Sequence, residues 1–160
     1  MLDVHILCVG KLKEKFYMEA AAEYVKRLGG YCRLTLTELP EERLPKSPSR
    51  AQIDAALEKE AAAICAKLPP NSSLVALCVE GRLCSSEDLA RMVADWSLGS
   101  AKHLDFLIGS SYGLHPSLKG QAWVKLSMSP MTFPHHLARV MLLEQVYRAF
   151  KINEGSDYHK

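Results

Sequence analysis

MSPMTFPHHLARVMLLEQVYRAFK, residues 128–151, joins a proline-rich loop directly to a long apolar helical pattern. Pro130 and Pro134 restrict the backbone of the loop. The helix predicted over residues 134–151 is apolar on nearly every side, which is typical of a helix buried on more than one side. Because a chain of 160 residues rarely encloses its terminal helix, we expect one face to pack on a sheet and another to form a two-fold homodimer contact.

Short apolar runs earlier in the chain predict the sheet. Three runs without polar alternation indicate strands covered on both faces: VHILCV (4–9), LVALCV (74–79) and HLDFLIG (103–109). CRLTLTEL (32–39) alternates and predicts a half-exposed edge strand. Further helical patterns cover residues 16–28, 50–67 and 86–98. This alternation predicts an α/β fold with a mainly parallel sheet, in a single domain over residues 1–160.

Composition indicates a globular chain from a reducing compartment. With 48% hydrophobic residues, the chain can bury a core without disulfides. Its five cysteines form no C-x-x-C pair and lie mostly in apolar runs, where cysteine behaves as a small hydrophobic residue. No apolar run approaches the roughly 20 residues of a membrane span, and the first residues lack the basic start of a signal peptide. We therefore expect a cytoplasmic protein with no membrane partner.

The carboxyl ends of the predicted strands are where a parallel α/β sheet binds its ligands. Three loops leave such ends: 79–86, 109–117 and 127–136. Gly109 and Gly113 in the second loop permit close backbone approach to a ligand, but glycines after a strand more often form only a turn. His135 and His136 have no further ligand at suitable spacing, so we expect no metal site.

Longer motifs resemble a known family, the ribosomal RNA large subunit methyltransferase H family of the SPOUT superfamily. The motifs are VGKLKEKFY (9–17), EYVKRL (23–28), FLIGSSYGLHPSL (106–118) and LSMSPMTFPHHLARVMLLEQVYRAFKINEGSDYHK (126–160). The resemblance runs from end to end. It implies a homodimer, a C-terminal deep trefoil knot over about residues 103–152, and S-adenosylmethionine as cofactor. Periodicity does not indicate a knot, and the rarity of knots argues against one.

The resemblance also implies a reaction, the N3-methylation of pseudouridine 1915 in helix 69 of 23S rRNA, on the assembled ribosome. Two alternatives stay open: a SPOUT methyltransferase acting on another RNA, and a non-catalytic ribosome-binding or assembly factor. The net charge of +2 fits recognition of an assembled ribosome by shape better than a grip on naked RNA through many phosphates.

The resemblance also implies which residues form the cofactor pocket. They lie at a strand end, in the glycine loop and in the loop before the last helix: Leu77, Gly109, Met128, Ser129, Pro130, Met131, Thr132 and Phe133. Their backbone groups and apolar side chains suit an adenine. The family commonly has two adjacent glycines after the strand HLDFLI, whereas Ser110 follows Gly109 here. A serine fits this position if its φ is negative.

The polar residues of the C-terminal motif are, by the same resemblance, the candidates for catalysis: Glu144, Arg148, Tyr158 and His159. The proton on the uracil N3 must leave, so a base or an anion-stabilising group would help. We expect Tyr158 and His159 to act from a flexible tail that RNA binding orders, and Arg148 to position RNA. Three further cations are expected to contact RNA: Arg139, Lys11 and Lys13.

Overall fold

A computed structural model describes residues 1–100 and 103–160. In these residues five strands form one parallel sheet in the order β2-β1-β4-β3-β5. The strands are β1 Leu2–Val9, β2 Cys32–Leu39, β3 Ser73–Leu83, β4 His103–Ile108 and β5 Val124–Ser127. The alternating run 32–39 is an edge strand, as predicted, and the mainly parallel α/β fold is confirmed.

Helices cover both faces of this sheet. They are α1 Lys15–Leu28, α2 Arg50–Cys65, α3 Ser86–Leu98, α4 Pro116–Gln121 and α5 His135–Asn153. Val4 and Ile6 of β1 point to the face covered by α1, α3 and α5, while Leu7 and Val9 point to the face covered by α2 and α4. Because both faces are buried, the central strands need no polar alternation.

Local sequence signals explain where helices begin. Ser85 accepts a hydrogen bond from the Asp88 amide and Asp88 accepts one from the Ser85 amide, which is the capping box that the sequence predicts for α3. Ser49 and Gln52 form the same arrangement at the start of α2. Helix α4 was not predicted, because six residues are too short to show a period. The strand end expected before the loop 127–136 is β5, although its four residues show no period.

Helix α5 is buried on one side and half-exposed on another. Its fully buried residues pack against α1, α3 and the sheet: Leu142, Leu143, Val146 and Ala149. Other apolar residues of the same helix remain partly exposed: Val140, Met141, Tyr147 and Phe150. The apolar surface of α5 is thus partly exposed to solvent in the single chain. The sequence predicted that a second face of this helix contacts a partner subunit.

Arg139 is buried, which corrects the prediction that it contacts RNA. Its side chain is 3% exposed, and it donates hydrogen bonds to the Glu38 carboxylate at 2.6 Å and to the Gly10 carbonyl at 2.8 Å. These contacts connect α5 to the ends of β1 and β2. A guanidinium held in this way is not presented to an RNA phosphate in the single chain, and we expect it to stabilise the fold.

We expect Arg139→Ala to lower the free energy of unfolding by on the order of 3 kcal/mol, because it removes the buried guanidinium that donates to both the Glu38 carboxylate and the Gly10 carbonyl. The lower end of the range for buried pairs applies, since Glu38 keeps partial access to water. Urea unfolding measures the change. Arg50→Ala is the control, since Arg50 pairs with Asp54 on an exposed helix surface. Its replacement should change the free energy of unfolding only slightly. Equal losses in the two variants would contradict a structural role for Arg139.

None of the described helices is long and apolar enough to cross a membrane. Among the same residues, no group of three or more histidine, cysteine, aspartate or glutamate side chains is arranged to hold a metal ion.

Candidate functional site

A cavity of about 650 Å³ opens at the carboxyl ends of β3, β4 and β5. This is the place where parallel α/β sheets bind ligands. The cavity brings together the predicted cofactor residues of three separate segments: Leu77, Gly109, Met128, Ser129, Met131, Thr132 and Phe133. Pro130 belongs to the same loop but does not contribute to the described lining.

The glycine loop forms one wall of this cavity as a tight turn. The Gly113 amide donates to the Ser110 carbonyl at 2.8 Å, and Gly113 has a φ of +83°, which favours glycine. A Cβ placed on Gly109 would lie 2.3 Å from the backbone of Gly113, so a side chain cannot fit there. Among the described residues, Asn71 is the one non-glycine with positive φ. The φ of Ser110 is therefore not positive, and a serine fits at this position.

The loop between β5 and α5 forms the opposite wall. Ser127 donates from its hydroxyl to the Ser129 carbonyl at 3.0 Å, and the Ser129 hydroxyl accepts from the Met131 amide at 3.0 Å. These bonds turn the backbone at the cavity edge, and Met128 adds an apolar surface. Backbone polar groups beside apolar walls are what a flat heteroaromatic ring such as adenine needs.

A bulge in β3 shapes the third wall. The pairing register of β3 with β5 shifts between Leu77 and Arg82, where both residues oppose Leu126. Gly81 permits this, since a Cβ there would lie 2.7 Å from the Lys125 backbone. The sequence predicts a loop from residue 79, whereas the strand continues to Leu83. Sequence reasoning missed several residues that line the cavity beside the bulge: Cys78, Val79, Glu80 and Lys119.

Beneath the glycine loop, Glu60 of α2 is buried at 5% exposure and accepts a hydrogen bond from the Ser110 hydroxyl at 2.9 Å. Burial raises the pKa of Glu60 to about 7. The negative charges of Glu41 and Glu42 add to this rise, while the Ser110 hydroxyl opposes it. Glu60 therefore holds its proton in the folded protein over a range of pH where an exposed glutamate is ionised.

This pKa makes folding stability depend on pH. The folded state keeps the proton up to about pH 7, whereas an ordinary glutamate loses it near 4.5, so the contribution is complete below 4.5 and is lost as pH rises through 7. We expect the free energy of unfolding to fall by roughly 3 kcal/mol from pH 4.5 to pH 8, relative to Glu60→Gln. Chemical denaturation of both proteins at each pH measures this; parallel curves would contradict it.

The four predicted catalytic residues come together at the end of α5. Arg148 donates to Glu144 at 2.6 Å, and the Tyr158 hydroxyl donates to the same carboxylate at 3.2 Å. The His159 ring nitrogens lie 3.3 Å from Arg148 Nη1 and 2.9 Å from Glu87 Oε1. The tail is therefore packed against α3 and α5 in the single chain, which differs from the flexible tail expected from the sequence.

Hydrogen bonding indicates which groups donate in this C-terminal cluster, formed by Glu144, Arg148, Tyr158 and His159. Because a guanidinium only donates, Arg148 donates to Nδ1 of His159, and Nε2–H of His159 donates to Glu87. The hydrogen bond to Glu144 raises the pKa of Arg148, which stays charged. Burial, with Glu144 beside the ring, raises the pKa of Tyr158, so its phenol is a hydrogen-bond donor and not a base at neutral pH.

The C-terminal cluster is not brought to the 650 Å³ cavity in the single chain. The described residues that line this cavity do not include Arg148, Tyr158 or His159. Glu144 instead lines a second cavity of about 500 Å³. Leu126 and Met128 line both cavities, which are therefore adjacent.

Comparisons with known proteins settle the family. The family model described as "Predicted SPOUT methyltransferase" matches residues 2–159. The ribosomal RNA large subunit methyltransferase H of Desulforamulus reducens is 44% identical over 160 residues, which covers 100% of each chain. The chain belongs to the ribosomal RNA large subunit methyltransferase H family. As a member of this family, it is an rRNA methyltransferase of the SPOUT class.

The fold of the methyltransferase H family also has relatives among solved structures. A probable methylase family protein from Haemophilus influenzae Rd KW20 superposes with a TM-score of 0.53 at 15% identity, covering 98% of this chain and 70% of that chain. At this identity the match shows the fold alone. SPOUT methyltransferases use S-adenosylmethionine in general, and membership in the superfamily implies the trefoil knot.

Proposed function

We propose that this protein transfers the methyl group of S-adenosylmethionine to N3 of pseudouridine 1915 in helix 69 of 23S rRNA, on the assembled ribosome. The observation that carries the proposal is the cavity at the strand ends, which gathers seven of the eight residues that the family resemblance assigns to the cofactor. Membership in the methyltransferase H family supports the substrate class.

The cavity residues fit S-adenosylmethionine. Gly109 leaves its backbone open because no side chain fits there, and the Ser127–Ser129 turn presents further backbone groups. Leu77 and Met128 supply apolar surface for the adenine. When bound, the cofactor supplies an electrophilic methyl group. The protein's task is to hold the acceptor nitrogen in line with that group.

The C-terminal cluster has the chemistry that the acceptor needs. The N3 proton of the base must leave, which places negative charge on the uracil ring until the new C–N bond to the methyl group neutralises it. We assign the proton to Nδ1 of His159, which is freed when Arg148 turns from the histidine to the substrate. The charge of Arg148 and the hydroxyl of Tyr158 would stabilise the anion.

We propose that the active form is a homodimer. In one chain Arg148, Tyr158 and His159 do not line the proposed cofactor cavity, and in a homodimer the C-terminal cluster of the second chain would complete it. The half-exposed apolar residues of α5 offer a surface for that contact. Sedimentation at working concentration should give twice the chain mass of 17.8 kDa. A monomeric mass in active samples would contradict this.

The RNA is expected to approach from the side of exposed cations. Lys11 and Lys13 are exposed in the connection from β1 to α1, and they remain our candidates for phosphate contacts after the correction at Arg139. An enzyme that acts on ribosomes would work in the cytoplasm. The knot would span about residues 103–152.

Methyl transfer from labelled S-adenosylmethionine tests this function. The substrates are intact ribosomes lacking the methyl group, free 23S rRNA and bulk tRNA. We expect label to enter ribosomes much faster than free 23S rRNA. Label in tRNA alone would favour a SPOUT methyltransferase of another specificity, and failure to bind the cofactor by calorimetry would favour a non-catalytic ribosome-binding factor.

A further inference from the structure

Two carboxylates from outside the cofactor cavity hold the two serines of the glycine loop. Glu60 of α2 accepts from the Ser110 hydroxyl at 2.9 Å, and Glu41 of the segment between β2 and α2 accepts from the Ser111 hydroxyl at 2.9 Å. The first pair is buried, with Glu60 at 5% and Ser110 at 6% exposure. The second pair is exposed to solvent. The two hydrogen bonds thus have the same chemistry in different surroundings.

We propose that Glu60 is a positioning residue for the cofactor, acting through Ser110 to hold the loop of residues 109–113 in the shape that admits S-adenosylmethionine. This inference rests on the proposed function, since it takes that loop as a wall of the cofactor site. Glu60 does not line the described cavity itself. It acts on the cofactor only by fixing the loop.

Burying the Glu60 carboxyl group costs free energy, because the group loses its contact with water. This cost argues that the carboxyl group does more than occupy space in the core. Its Oε2 is buried and has no hydrogen-bond partner among the described residues. A leucine would fill a similar volume without removing a carboxyl group from water. The side-chain hydrogen bond of Glu60 goes to Ser110, and the Glu42 amide also interacts with the carboxyl group. The carboxyl group therefore gives the glycine loop a fixed point beside α2.

The loop transmits the position of Ser110 directly to the cavity. Ser110 pairs with Gly113 in an isolated bridge, and the Gly113 backbone lies so close to Gly109 that a Cβ would be 2.3 Å away. A shift of Ser110 therefore moves Gly109 and Gly113 together, and both line the cavity.

Isothermal calorimetry with S-adenosylmethionine tests the proposal on the full chain. We expect Glu60→Ala and Ser110→Ala each to weaken binding by at least about tenfold, because each removes the same hydrogen bond to a buried group. The double variant should bind no worse than either single variant. Glu60→Gln keeps an acceptor oxygen and should bind within about threefold of the original protein. Glu41→Ala, the exposed matched control, should bind within about twofold.

Further readouts separate positioning from a general loss of structure. Circular dichroism and the melting temperature show which variants fold. If Glu60→Ala does not fold, Glu60→Gln and Ser110→Ala still test the proposal. Among folded variants, KM for the cofactor should rise while kcat stays near its original value. Additive losses in the double variant, or unchanged affinity in Ser110→Ala, would overturn the inference. Absence of cofactor binding in the original protein would instead overturn the proposed function.

Discussion

Gly109→Ala is expected to weaken S-adenosylmethionine binding by roughly 100-fold. The added Cβ would lie 2.3 Å from the carbonyl carbon and oxygen of Gly113, and backbone atoms cannot rotate away as a flexible side chain can. The loop of residues 109–113 must therefore move, and it forms one wall of the cofactor cavity.

Calorimetry on folded protein measures this loss, with Gly120→Ala as the matched control. Gly120 lies in α4, and a Cβ there has nothing within 4 Å. Its replacement adds the same methyl group and should leave cofactor affinity unchanged. Wild-type affinity in a folded Gly109→Ala protein would mean that the cofactor does not use this loop.

The second large effect is expected at the C-terminal cluster. His159→Ala should lower the rate of methyl transfer by roughly 100-fold or more, the usual contribution of a residue that accepts or donates a proton. Cofactor affinity should stay within about twofold, because His159 does not line the described cofactor cavity. The effect is thus expected in kcat and not in the KM for the cofactor.

Single-turnover methylation of ribosomes, with calorimetry alongside, measures both quantities. Lys160→Ala is the control, since it removes the neighbouring exposed side chain of the same tail. A His159→Ala protein with the original rate would exclude a role in proton transfer. A parallel loss of rate and of cofactor affinity would place His159 in the cofactor site and contradict the present assignment.

The continuous apolar runs and the long helical pattern of this fold were predictable from sequence. The runs 4–9 and 103–109 are β1 and β4, and the apolar pattern from 134 is α5, because burial on both faces leaves a strong signal over many residues. The proposed cofactor loop was not predictable from spacing. Its residues were predicted from family resemblance, and the structure adds the reason that Gly109 permits no side chain.

Contacts between distant residues were not predictable from a single sequence. Arg139 was expected on the surface, but its partner Glu38 lies 101 positions away, and no local pattern reveals the pair. Glu60 reads as an ordinary polar residue of α2 until the fold places it beside Ser110, 50 positions away. The same holds for the contact of His159 with Glu87, which packs a tail that the sequence alone suggests is flexible.

The central claim is the position of the methyl group. Purified protein, S-adenosylmethionine with a labelled methyl group, and ribosomes lacking the modification are incubated together, and the 23S rRNA is then digested and mapped by mass spectrometry. The account predicts one added methyl group, at N3 of the helix 69 pseudouridine, and none at neighbouring uridines. Stoichiometric label at any other nucleotide, with helix 69 unmodified, would contradict it.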